Sequence, residues 1–179
     1  MSEMSTGLKA QSEETMFLGI ASSPTSATSP IGYPLAVGVA YPDTQSSKSI
    51  LIRPLDEWAV FDPKNQGKEE NIAGLRRKDL LTKGATLEEA ARFVITATKG
   101  RSVYCMDAKR TTALLGPLNE FMNNNVNPKS ALALFNDVAG NFKKAMSIQL
   151  RTKLVIQNYP KDPSDVRWMN ACFHGCHFG

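Results

Sequence analysis

Cysteine and histidine are scarce in this chain, with three cysteines and two histidines among 179 residues. An odd, irregularly spaced cysteine set excludes the disulfide framework that holds small secreted domains together. It points instead to a reducing compartment, the cytoplasm. The soft ligands crowd at one end, as Cys172, His174, Cys176 and His177. Zinc fingers and ribbons use two separated ligand pairs at tetrahedral geometry. Ligands this close in sequence strain around one ion, so we read 174–179 as a C-terminal tail, with a metal site shared across two chains as the lesser alternative. With both histidines there, Cys105 and Cys172 lack an oriented base, which argues against thiol catalysis. No apolar run nears the roughly 20 residues of a membrane helix. No basic stretch followed by an apolar one opens the chain as a secretory signal would. Excess charge is also small: the net charge is +4 and the pI near 9.0. That gives an anionic partner only a mild preference.

What remains is a soluble composition, 42% hydrophobic, in a length that fits one domain with an ordinary core. Residues 1–15 are polar and aperiodic and read as a flexible tail. Met16–Ala21 is a short apolar strand, and a Ser, Thr, Pro and Gly loop follows it. Tyr33–Ala40, nearly all apolar, predicts a strand buried on both faces. Tyr41-Pro42-Asp43 turns the chain, and Ser49–Arg53 returns as a third strand ended by Pro54. Arg76–Leu81 predicts one helical turn. Thr86-Leu87-Glu88-Glu89 is a capping box opening a helix whose apolar face carries Leu87, Ala90, Ala91, Val94 and Ile95. Ser102–Met106 is a fourth strand, parallel to the first because a helix crosses between them. Helices are predicted over Thr111–Asn123, Ser130–Met146 and Ser164–Phe173. Trp58 and Trp168 read as core packing. Strands first and helices later predict an α/β domain over 16–173, a three-strand antiparallel meander plus parallel strands flanked by helices.

Several stretches, in this order and spacing, resemble one family. They are Tyr33-Pro34-Leu35 with Val37-Gly38-Val39, and Leu51-Ile52-Arg53-Pro54 followed by Glu57-Trp58 and Asp62-Pro63. Asn71-Ile72-Ala73-Gly74-Leu75 comes next, then Lys78-Asp79-Leu80-Leu81, Val103-Tyr104 with Asp107-Ala108, and Asp165-Val166-Arg167-Trp168. Together they resemble the DEDDh 3′-5′ exonucleases of the ribonuclease H-like fold, over nearly the whole chain. Active members hold two divalent metals, Mg²⁺ or Mn²⁺, on four carboxylates, with a histidine as general base.

The resemblance places Gly19 and Ala21 where the first strand would carry its Asp and Glu. It places Thr112 at the second acid, with Asp107 as an alternative, and Pro160 at the histidine. Ala73 stands where the family's loop has a histidine. Asp165 alone retains an expected ligand. One carboxylate does not hold two metals, so the expectation is a degenerate, inactive member with no metal cofactor that works by binding a protein as inhibitor, adaptor or regulator. Two alternatives remain: a nucleic-acid-binding module, or a weak exonuclease with an altered metal site. The candidate phosphate contacts are Arg76, Arg77 and Lys78 beside the substrate loop, and Lys109 and Arg110 beside the second motif. No membrane partner is expected.

Overall fold

The computed structural model describes residues 14–26, 29–44, 46–58, 60–61, 71–72, 74–123 and 126–139. Three strands form the meander: β1 (Thr15–Ser22), β2 (Pro34–Tyr41) and β3 (Ser46–Leu51). A small hairpin follows, β4 (Asn71–Ile72) and β5 (Leu75–Arg76), leading into α1 (Arg77–Lys83) and α2 (Leu87–Thr98). Then come β6 (Ser102–Cys105), α3 (Ala108–Leu114), α4 (Asn119–Met122), β7 (Lys129–Ser130) and α5 (Ala131–Ala139). The main sheet has five strands in the order β3-β2-β1-β6-β7. The first three are antiparallel, and β6 and β7 join in parallel. This is the mixed α/β sheet flanked by helices that the sequence predicts, in an arrangement consistent with the ribonuclease H-like fold. Among the described residues no helix is long and apolar enough to cross a membrane.

The pleat of β1 sorts its side chains between two faces. Met16 and Leu18, with Ile20 at the margin, meet Val37 and Val39 of β2 and Val103 of β6. Across from them lies the small-residue face of α2, Ala90, Ala91, Val94 and Ala97. Alanine there lets the helix approach the sheet closely, and Leu118 and Met122 complete the layer. Trp58 is buried in this core and stacks on Tyr33, with ring centroids 4.9 Å apart. The capping box forms as predicted: Thr86 Oγ1 accepts from the Glu89 amide at 3.2 Å, and the Thr86 amide donates back to the Glu89 carboxylate at 2.8 Å.

Several boundaries differ from the sequence reading. β1 begins at Thr15, which is 2% exposed and in register with Ser102. β3 spans Ser46–Leu51 instead of Ser49–Arg53, because pairing with β2 holds its polar start in the ladder. The single helix expected over Thr111–Asn123 is three pieces: α3, a 3₁₀ turn over Gly116–Leu118, and α4. Pro117 has no amide hydrogen to give, and Gly116 beside it is a poor helix former, so the regular ladder stops there. β7 was not predicted; at two residues it carries no readable alternation. Trp168, the predicted Ser164–Phe173 helix and the Cys/His tail lie outside the described residues.

At the end of the sheet where β1 and β6 begin, Arg101 ties three elements together. Its guanidinium pairs with Asp43 at 2.8 Å, lies 5.0 Å from the Tyr41 ring centroid, and donates to the Thr15 carbonyl at 3.3 Å. The Arg101 and Asp43 side chains are only 23% and 16% exposed. Removing one partner of such a pair leaves a poorly solvated charge behind. Arg101→Gln should therefore destabilise the fold by about 2–3 kcal/mol. That corresponds to a melting temperature about 5–10 °C lower by calorimetry. The Tyr41 phenol is a second reporter: burial holds its pKa above the ordinary value, and the Arg101 charge draws it partly back. In the variant the Tyr41 phenol should ionise at still higher pH in an ultraviolet titration; an unchanged titration would mean that the cation has no electrostatic contact with the ring.

Candidate functional site

The centre of β1 sets the floor of the candidate site. Gly19 and Ala21 are two apart and so share a face, opposite the one that Met16 and Leu18 give to the core. Their cross-strand partners are Gly38 and Ala36 of β2. Ala21 is 6% exposed. The floor is made of hydrogen and methyl groups, none of which offers an oxygen to a hard cation. These positions do not fit the two-metal centre that the resemblance implies.

Beyond the floor, the chain from β1 to β2 closes on itself. The Ser23 amide donates to the Tyr33 carbonyl at 2.9 Å, and the Tyr33 amide donates to Ser23 Oγ at 2.9 Å. Ser29 Oγ donates to the Gly32 carbonyl at 2.8 Å. Gly32 has φ +79°, and a Cβ there would sit 2.2 Å from the Ser23 carbonyl oxygen. Only glycine fits this crossing. The loop is thus a built rim at the carboxyl end of β1.

Both basic groups singled out in the sequence belong to elements that meet this end of the sheet. Leu35, next to the Pro34 that pairs with Ser22, packs with Ile72 of β4 and Leu80 of α1. That packing seats α1, which begins beside Arg76, Arg77 and Lys78, against the start of β2. On the β6 side, Arg110 crosses back: its Nη2 donates to Ser22 Oγ at 3.1 Å and to the Ile31 carbonyl at 3.3 Å. Lys109 is exposed beside it.

The basic residues differ in how committed they are. Asp79 takes Arg76 Nε at 2.7 Å and Lys83 Nζ at 2.8 Å. Hydrogen bonds from Lys83 and then Arg76 hold its carboxyl below the usual range. Arg77 lies over the Phe61 ring at 4.5 Å from its centroid. Lys78 is exposed on the same helix. Arg76 and Arg77 are therefore held within their own unit, whereas Lys78, Lys109 and Arg110 have no ion pair among the described residues.

The second-motif region also resolves. Asp107 is the N-cap of α3, accepting from the Arg110 amide at 2.9 Å. That bond explains why the helix starts at Ala108 and not at Thr111, and it gives Asp107 a structural task. Thr112 is exposed, its hydroxyl donating to the Ala108 carbonyl at 2.8 Å. Thr111 is the inward residue, 8% exposed. Consecutive helical residues are about 100° apart, so only one of the two faces the sheet. Thr112, where the resemblance would place the second acid, therefore points away from the sheet. Neither side chain is a carboxylate. Cys105, at the end of β6, is a free, buried thiol whose pKa burial pushes up, with the Asp107 charge adding to that and a hydrogen bond with Thr111 opposing it. A thiol held neutral is a poor nucleophile. Pro160, Asp165 and Ala73 lie outside the described residues.

The Arg110 bridge has no local signal in the sequence, since its partners lie 88 and 79 residues away. The Asp107 cap did have one: an Asp directly before a helix start. Comparison of the sequence with models of protein families and with curated proteins finds no match.

Proposed function

We propose that this chain is a catalytically inactive, exonuclease-like domain that acts by binding, with a protein as its partner in the role of inhibitor, adaptor or regulator. The observation that carries the proposal is the pair Gly19 and Ala21 on one face of the central strand, opposite Gly38 and Ala36. A scaffold of this kind needs acids there to grip the cations of phosphodiester hydrolysis, and the floor supplies methyl groups and hydrogens. A floor without charge suits contact with protein surfaces better than metal chemistry. The free, buried Cys105 suits a reducing compartment, and we propose the cytoplasm.

Commitment of the basic residues favours a protein over a nucleic acid. Binding to a phosphate backbone depends on several cations that release counterions together. Asp79 pairs with both Arg76 and Lys83 and offsets one of their two charges. The nucleic-acid reading is kept alive by Lys78, Lys109 and Arg110, which have no ion pair among the described residues, and a weak exonuclease with an altered metal site is the third reading.

Incubation of labelled single-stranded DNA and RNA with excess protein, with Mg²⁺ or Mn²⁺, separates these. No shortening is expected; shortening that chelator abolishes would overturn the assignment as inactive. Affinity capture from host lysate, with and without nuclease treatment, then tests the partner class. Protein recovered regardless of nuclease supports the proposal. Recovery of nucleic acid alone, with affinity falling steeply with salt, would reverse it.

A further inference from the structure

We infer that Arg110 is a carboxylate-accepting point of the binding surface, seating an Asp or Glu side chain from an acidic segment of the partner protein. The inference rests on the binding role proposed above. It starts from how the guanidinium is held. A free arginine on a surface samples many rotamers, and ordering it on binding is costly. Here the Nη2 group is already fixed by Ser22 Oγ and the Ile31 carbonyl, one on the central strand and one on the rim loop. Two neutral acceptors anchor the group without cancelling its charge.

A guanidinium has five N–H donors, and the bonds to Ser22 and Ile31 use those of Nη2. Its Nε and Nη1 have no acceptor among the described residues, and no described carboxylate pairs with it. The side chain is exposed. The result is a preorganised cation with donors left over at the carboxyl end of β1, beside the neutral floor of Gly19 and Ala21.

The local balance selects the anion. Lys109 and Arg110 carry positive charge, and Asp107, one turn away and bonded to the Arg110 amide, offsets part of it. The small surplus matches a single carboxylate better than a run of phosphates, whose binding needs several unpaired cations. The other arginines near enough to partners are engaged: Arg76 with Asp79, Arg92 with Glu88 and Arg101 with Asp43.

The test uses the full-length protein and a short, blocked polyglutamate peptide as probe, followed by NMR of the arginine Nε–H and backbone amide signals. Saturable shifts at Arg110, Ser22 and Ile31 are expected. Arg110→Gln should weaken the peptide about ten-fold or more, as loss of a charge-assisted bond does. Lys48→Gln, which removes the same charge from exposed Lys48 on β3, should leave affinity within about two-fold. Equal loss in both variants would mean attraction to net charge alone and would overturn the inference, as would no shift at Arg110. A short oligothymidylate that binds more tightly through the same signals would overturn it in favour of nucleic acid. Thermal melts of Arg110→Gln guard against misfolding, and Arg110→Lys should recover part of the affinity. Failure here leaves the inactive-nuclease assignment standing, because that falls only on metal-dependent cleavage.

Discussion

Gly32→Ala should destabilise the protein by about 3 kcal/mol, from roughly 1–2 for a left-handed backbone and the rest for overpacking. Two separate penalties meet at this position. The first is the backbone, with φ +79°. The second is space: the new methyl would lie 2.2 Å from the Ser23 carbonyl oxygen and 3.2 Å from Ser23 Oγ. Backbone oxygen does not move aside cheaply, because the Ser23 amide and hydroxyl are both bonded to Tyr33. Gly100 supplies the control. Its φ is +73°, yet a Cβ there meets nothing within 4 Å. Gly100→Ala should cost only the backbone part, about 1–2 kcal/mol. Calorimetry or chemical denaturation of the two variants side by side checks this. Equal losses would mean that the crossing of Ser23 and Gly32 is not close-packed. The effect should reach the site as well, since the same loop supplies the Ile31 carbonyl that anchors Arg110.

The contrast between these glycines bears on what a sequence makes legible. Elements written in local chemistry were readable. The capping box from Thr86 to Glu89 depends on residues three apart, and the Tyr41-Pro42-Asp43 turn sets the hairpin that follows. The apolar stretch of β2 announced its burial. Features that depend on partners far along the chain were not readable. Arg101 and Asp43 are 58 residues apart, and Arg110 and Ser22 are 88 apart. Between these extremes lie local signals that compete with one another. Pro117 sits inside an apolar periodicity that by itself predicts one helix, and Asp107 directly before Ala108 is a cap signal. At the site, the identities Gly19 and Ala21 were legible because a side chain absent from the sequence is absent from the fold. Which cations are free was not, since that depends on the rotamers that bring Arg76 and Lys83 onto Asp79.

The double substitution Gly19→Asp with Ala21→Glu should lower stability by about 3 kcal/mol at neutral pH, the scale of a buried, unpaired charge. The two new carboxylates would share one face of β1, with Gly38 and Ala36 as cross-strand neighbours, and Arg110, bonded at Ser22, brings one positive charge against two negative ones. Ala21 is 6% exposed, so the glutamate enters a poorly solvated place, and its like-charged neighbour adds repulsion. Both effects raise the folded-state pKa above the unfolded one. The folded state then holds more protons than the unfolded state between those two values, and stability falls as pH rises through that window. The deficit relative to the unaltered protein should accordingly be largest above the raised pKa and shrink as pH falls toward the ordinary carboxylate range near ~4. A divalent cation would relieve the same repulsion. Millimolar Mn²⁺ should raise the melting temperature of the double variant and leave that of the unaltered protein unchanged. A response of about 2–3 kcal/mol is expected if Mn²⁺ is present near a hundred times its dissociation constant. No Mn²⁺ response in the variant would detach Gly19 and Ala21 from the ligand positions that the resemblance implies, and would overturn the proposal that this strand is a disarmed metal floor. Stabilisation without nuclease activity would show that acids on the central strand give a grip on a cation, while cleavage, on the proposed resemblance, would also need the groups that Thr112 and Pro160 do not provide.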